Sequence, residues 1–151
     1  MTAKRTKIGD VLEVVTPDGL IYLHYIGKHA EYGDGVAVCP VKQPGRVAVS
    51  AALFQDSYVT FYPASAAVAR GLASVVGSLP TKGLPSRMRR AGARRGRKVL
   101  NWIIEGGSKE VLKEKLSDEE RKLPIAAIWN HEFLIGRVSD GWRPEMEGRD
   151  E

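Results

Sequence analysis

Residues 11–26 read VLEVVTPDGLIYLHYI, two β-branched and apolar runs separated by Thr16-Pro17-Asp18-Gly19. Pro17 presets φ, Asp18 tolerates the bend and Gly19 takes the left-handed position, so the four residues predict a hairpin. Side chains alternate along a strand, which puts Ile21, Leu23 and Tyr25 on one face and Tyr22, His24 and Ile26 on the other. Both faces are largely apolar. Such a strand belongs to the interior of a strongly bent sheet rather than to one lying flat on water.

Outward from this hairpin, residues 36–41 predict a third strand behind Gly33-Asp34-Gly35, residues 46–49 a short fourth after Pro44-Gly45, and residues 58–62 a fifth. The small-residue run 64–72 predicts two helical turns stopping near Gly71, and residues 73–76 return to extended structure. Residues 98–104 predict a strand with Leu100, Trp102 and Ile104 on one face. Ser108 is placed to cap a helix through about residue 116, and Ser117-Asp118-Glu119-Glu120 matches a capping box. Asn130 offers an N-cap for a helix with Phe133, Leu134 and Val138 at helical spacing, ending at Gly141. Strands first and helices toward the end predict an α+β fold. Its frame is a small, strongly bent antiparallel sheet, with helices mainly in the C-terminal half.

The chain has 151 residues, 43% hydrophobic and 27% charged, with 16 glycines and 8 prolines. That composition excludes a collagen-like or mostly disordered chain and predicts one domain over residues 1–151. The least polar long stretch, residues 64–76, carries Arg70 and is too short to span a bilayer, so no membrane association is expected. After the basic start (Lys4, Arg5, Lys7) the apolar run 11–15 is broken by Glu13, too short for a signal-peptide core. The single cysteine, Cys39, cannot form an intramolecular disulfide. A cytoplasmic protein is the expectation.

The net charge of +5 comes from one region. No acid occurs between Asp56 and Glu105, and nine of the 23 basic residues fall there: Arg70, Lys82, Arg87, Arg89, Arg90, Arg94, Arg95, Arg97 and Lys98. The densest part, residues 85–98 (PSRMRRAGARRGRK), holds two glycines and no aromatic residue. Residues 82–98 therefore predict a basic flexible loop. Residues 143–151 form an acidic counterweight, with Glu145, Glu147, Asp150 and Glu151 against Arg143 and Arg149.

No reaction is written in the motifs. There is no Gly-x-Ser-x-Gly nucleophile elbow, no Walker A loop, and Gly33-x-Gly35 lacks the third glycine of a dinucleotide fingerprint. His131-Glu132 is not followed by a histidine at the fourth position, and His24, His29 and His131 read more simply as strand and cap residues than as a zinc triad. Cys39 sits in an apolar strand, where a thiol behaves as a small hydrophobe. No catalytic residue, metal or cofactor is expected. Tyr22, Tyr25, Tyr32, Tyr58, Phe61 and Tyr62 lie on predicted strands and read as core rather than as a base-stacking platform. Trp142 lies outside regular structure, in Asp140-Gly141-Trp142-Arg143-Pro144, where a tryptophan folds back as a lid or is offered to a partner.

Lys7-Ile8-Gly9-Asp10-Val11-Leu12-Glu13-Val14, the run 19–26 and Tyr32-Gly33 resemble the start of the bacterial immunity protein 26 family. Phe61-Tyr62-Pro63, Val76-Gly77, the tryptophan-bearing stretch 98–107, Leu123-Pro124-Ile125, Trp129-Asn130 and Gly141-Trp142 resemble its later landmarks. The resemblance implies an SH3-like partial barrel with added helices, and a cytoplasmic, non-enzymatic protein that neutralises a toxin by binding it. Arg87, Arg89, Arg90, Arg94, Arg95, Arg97 and Trp142 are then the candidate partner-binding residues, because Arg and Trp are enriched at interface hot spots. A basic segment suits an acidic partner surface, whereas inhibitors of nucleases are often acidic. The alternative reading is a nucleic-acid-associated protein that sets the same arginines on phosphates.

Overall fold

The computed structural model describes residues 5–96, 98–106 and 109–147. The predicted hairpin forms as β1 (Asp10–Thr16) and β2 (Gly19–His29), paired antiparallel with Thr16 opposite Gly19. The chain continues through β3 (Gly33–Val38) and β4 (Tyr58–Phe61), then a short helix α1 (Ala64–Ala69), and returns as β5 (Ser74–Ser78) to pair with β1. The resulting sheet has the order β4-β3-β2-β1-β5. Its two outer strands are not joined, so it does not close into a barrel. Residues 46–49, expected as a strand, run along the sheet without joining it; Leu20 and Gln43 make the single bridge nearby.

Both faces of the hairpin are covered, as its two-sided apolarity requires. On one face Leu12, Val14, Ile21, Leu23, Val36 and Val38 pack with Tyr58, Tyr62, Ala64, Ala67, Trp129, Leu134, Val138 and Trp142. On the other, Val11, Tyr22 and Cys39 lie under Val47, Val49, Leu53, Phe54 and Leu79. Glu13 is buried on that second face. Its carboxylate accepts from the Tyr22 hydroxyl at 2.8 Å and from two nitrogens of Arg46 at 3.0 and 3.1 Å, which pins the covering segment in place.

A second, three-stranded sheet has the order β10-β9-β6, built from β6 (Arg87–Ala91), β9 (Trp102–Gly106) and β10 (Lys109–Lys113). A two-stranded ribbon, β7 (Arg94–Arg95) and β8 (Lys98–Val99), lies between β6 and β9 in sequence. Much of the stretch expected as a flexible loop is thus strand. Leu100, expected on the buried face with Trp102 and Ile104, lies between β8 and β9 and is exposed. Residues 109–113, expected in a helix, pair instead with β9, and the proposed cap Ser108 lies outside the described residues.

The capping predictions at the next two helices hold. Ser117 and Glu120 form the reciprocal capping box of α2 (Asp118–Arg121), and the Asn130 side chain accepts from the Phe133 backbone N–H at the start of α3 (His131–Ser139). Between these helices, residues 124–129 stitch the two sheets together. Ala126 N–H donates to the Arg89 carbonyl and Arg89 N–H to that of Pro124, both at 2.8 Å, while Trp129 N–H donates to the Phe61 carbonyl on β4. The linker 79–86 is fastened separately: Leu84 plugs a hole over the paired glycines Gly27 and Gly35, where an added Cβ would lie 2.8 and 2.3 Å from its side chain.

Candidate functional site

Strand alternation divides the arginine cluster. Arg87 and Arg89 face α2, whereas Arg90 faces the opposite side of the sheet. Arg89 is fully buried, which removes it from the partner-binding candidates. Its guanidinium stacks on Trp102 at 4.4 Å, and its Nη2 donates to the carbonyls of Arg121 (2.9 Å) and Pro144. Burial pulls its pKa from 12.5 down to about 10, and Nε and Nη1 have no hydrogen-bond partner among the described residues.

The exposed part of the cluster is smaller than the sequence suggests. Arg87 approaches Glu120 at 3.5 Å, and Arg90 is bonded to Glu105 and lies 3.4 Å from Glu110, contacts that hold its pKa above the ordinary value. Arg94 and Arg95 are exposed on the ribbon and form no ion pair among the described residues. Arg97 lies outside the described residues, as do residues 148–151 of the acidic tail. The nearer part of that tail folds back: Pro144–Met146 make one 3-10 turn, with Pro144 buried.

Trp142 folds back onto the core rather than standing as a free ring. It is 8% exposed and stacks edge-on against Tyr58 (5.5 Å between centroids) and Trp129 (5.2 Å). Deep burial pushes the Tyr58 hydroxyl well above its ordinary pKa and that of Tyr62 up to about 12. Trp129 and Trp142 of this stack line a groove of about 280 Å³ together with Ile125, Ala127 and Ile128 and with Phe133 and Arg137 of α3. Arg94 and Glu147 stand at the same groove. Ile128 is 59% exposed and Phe133 43%. The Arg137 guanidinium lies 4.8 Å from both the Phe133 and the Trp142 ring, with its Nη2 3.7 Å from Glu147.

Of the sequence candidates among the described residues, Arg94 and Trp142 line the same groove. Ile128, Phe133 and Arg137 were not among them. Leu134 and Val138 fill the core as their helical spacing predicts, but Phe133, expected with them, is exposed and stands beside Arg137 four residues on, the spacing at which helical side chains meet.

The histidines are dispersed. His24 Nε2 lies 3.1 Å from the Leu79 carbonyl, His29 Nδ1 accepts from the backbone of Glu31 and Tyr32, and His131 Nδ1 is 2.8 Å from the Tyr62 hydroxyl. Among the described residues no group of three or more His, Cys, Asp or Glu is placed to hold a metal ion. No helix among them is long and apolar enough to cross a membrane. No protein-family model, curated protein or solved structure matches the chain.

Proposed function

We propose that this chain is a non-enzymatic, cytoplasmic protein-binding module of the immunity type, and that it holds its toxin-like partner at the groove beside α3. The observation that carries the reading is a groove lined by Trp129 and Trp142, by the exposed Ile128 and Phe133, and by Arg94 and Arg137. Aromatic and arginine anchors around a desolvated centre are what protein interfaces use. The strand order, with β5 returning beside β1, is compatible with the SH3-like arrangement that the family resemblance implies and supports the same reading. The phosphate-binding alternative loses its main support, because Arg89 is buried and Arg87 and Arg90 face carboxylates.

The test is capture from nuclease-treated lysate on the immobilised chain, followed by titration of the purified captured protein against wild type and Ile128→Asp. The expected result is a one-to-one complex that weakens at least tenfold in the variant, while the variant melts as wild type does. Phosphate binding through Arg94 and Arg95 alone would instead give a log-log salt slope of about −1.8 on duplex DNA. Retention that disappears on nuclease treatment, with salt dependence of that order, overturns the proposal.

A further inference from the structure

We infer that the groove takes a short partner segment presenting an aliphatic side chain next to a carboxylate, an inference that rests on the protein-binding reading above. The apolar half of the argument is the lining. Ile125, Ala127, Ile128, Trp129, Phe133 and Trp142 line the groove together, and such a lining suits a branched aliphatic group. The polar half is the charge. Two arginines, Arg94 and Arg137, share the groove with one carboxylate, Glu147, and the Arg137–Glu147 approach is long at 3.7 Å. The Arg137 guanidinium carbon lies 4.8 Å from the centroids of both the Phe133 and the Trp142 ring, and its side chain keeps 31% of its surface exposed. Arg94 forms no ion pair among the described residues.

With two guanidiniums against one carboxylate among the described residues that line it, the groove is complementary to an anion, and a planar guanidinium matches a carboxylate in geometry. The aliphatic walls select a peptide over a nucleotide. A base would use the Phe133 face but leave Ile125, Ala127 and Ile128 against a polar sugar and phosphate. A second copy of the chain is disfavoured by the same charge, since each copy brings Arg94 and Arg137 to the contact.

The experiment uses the full chain labelled with nitrogen-15 and two small probes, N-acetyl-leucine and N-acetylleucinamide, which differ only in the carboxylate. The expected result is a saturable millimolar shift of the Trp142 and Trp129 indole N–H signals by N-acetyl-leucine, with the amide binding at least fivefold more weakly. Arg94→Gln, an exposed change that leaves the core untouched, is expected to erase that difference. Equal binding of acid and amide overturns the inference, and so does the absence of indole shifts at 50-fold excess of either probe, roughly the range in which such fragments bind. Competition of the acid by a thymidine oligonucleotide overturns it in favour of a nucleic acid. Concentration-dependent dimerisation in sedimentation velocity, abolished by Ile128→Asp, overturns it in favour of a second copy. The two levels remain separable: a captured partner whose affinity ignores Arg94→Gln overturns this inference alone, whereas nuclease-sensitive capture overturns the protein-binding reading.

Discussion

Replacing Arg89 by alanine separates a surface cluster from a structural one. Two charge-assisted hydrogen bonds, to the carbonyls of Arg121 and Pro144, contribute about 2 kcal/mol each. Stacking on Trp102 at 4.4 Å adds about 1–2 kcal/mol in a desolvated setting. Against these stands the burial that pulls the guanidinium down to about 10, a cost of about 3 kcal/mol. Losing the packed aliphatic stem adds about 1 kcal/mol to the variant's deficit. The net loss is about 3–4 kcal/mol, and for a chain of this size that lowers Tm by about 6–16 °C. The assay is thermal unfolding followed by circular dichroism, with a urea titration to check that the m-value is unchanged. Arg94→Ala and Arg95→Ala, measured alongside, are expected to shift Tm by only about 1 °C. An Arg89→Ala protein that melts with wild type would refute the reasoning, because it would mean that the stacked guanidinium and its two carbonyl contacts hold nothing.

Three further outcomes follow from the packing. Gly35→Ala pushes a Cβ into Leu84, 2.3 Å away, and is expected to cost about 1–3 kcal/mol; Leu84→Ala in the same chain recovers at least about 1 kcal/mol of it in a double-mutant cycle, and strict additivity would show that the two do not touch. The Arg46 guanidinium holds the Glu13 carboxyl below its ordinary value near 4.5, and the Ser117 backbone N–H does the same for Glu120. Folded carboxylates with lowered pKa stabilise the protein above their unfolded pKa and lose that contribution as pH falls through the folded one. Glu13→Gln is therefore expected to destabilise by about 1 kcal/mol at pH 7 and to flatten the acid limb of a urea-midpoint profile; an unchanged limb counts against it. Cys39 is buried, so a thiol reagent is expected to label it only as fast as the chain unfolds, and prompt labelling of native protein would contradict its placement.

The parts of the fold legible in the sequence are those decided by neighbouring residues. The turn at residues 16–19, the Ser117 box and the Asn130 cap each rest on contacts three residues apart, and each forms as expected. The second sheet was illegible because its pairing is long-range. Arg-Met-Arg-Arg-Ala has neither strong strand propensity nor an apolar face, and it becomes β6 only because β9 lies beside it and Trp102 accepts the stem and charge of Arg89. Lys-Glu-Val-Leu-Lys fits a helix or a strand equally well over five residues, and pairing with β9 decides it. Trp142 follows Gly141 and precedes Pro144, so local rules place it in a turn; its burial depends on Tyr58 and Trp129, which are remote or on another element.

The groove could not be read for a further reason, which bears on how it works. Its aliphatic wall is the segment that joins the two sheets, clamped at one end to the backbone of Arg89 and at the other to Phe61 on β4. Ile128 is therefore exposed from a backbone held at both ends rather than from a free loop. Binding there need not order the wall, which removes one of the main costs of association. The two tryptophans that line the groove are held by stacking on each other and on Tyr58. Arg89, expected from the sequence to touch the partner, instead holds the wall by its main chain and the backbone around residues 121 and 144 by its side chain. Its effect on binding thus runs through the shape of the groove. Conditions that restore the stability of Arg89→Ala without restoring its side chain are accordingly expected to restore partner affinity, whereas no such condition rescues a variant at Ile128.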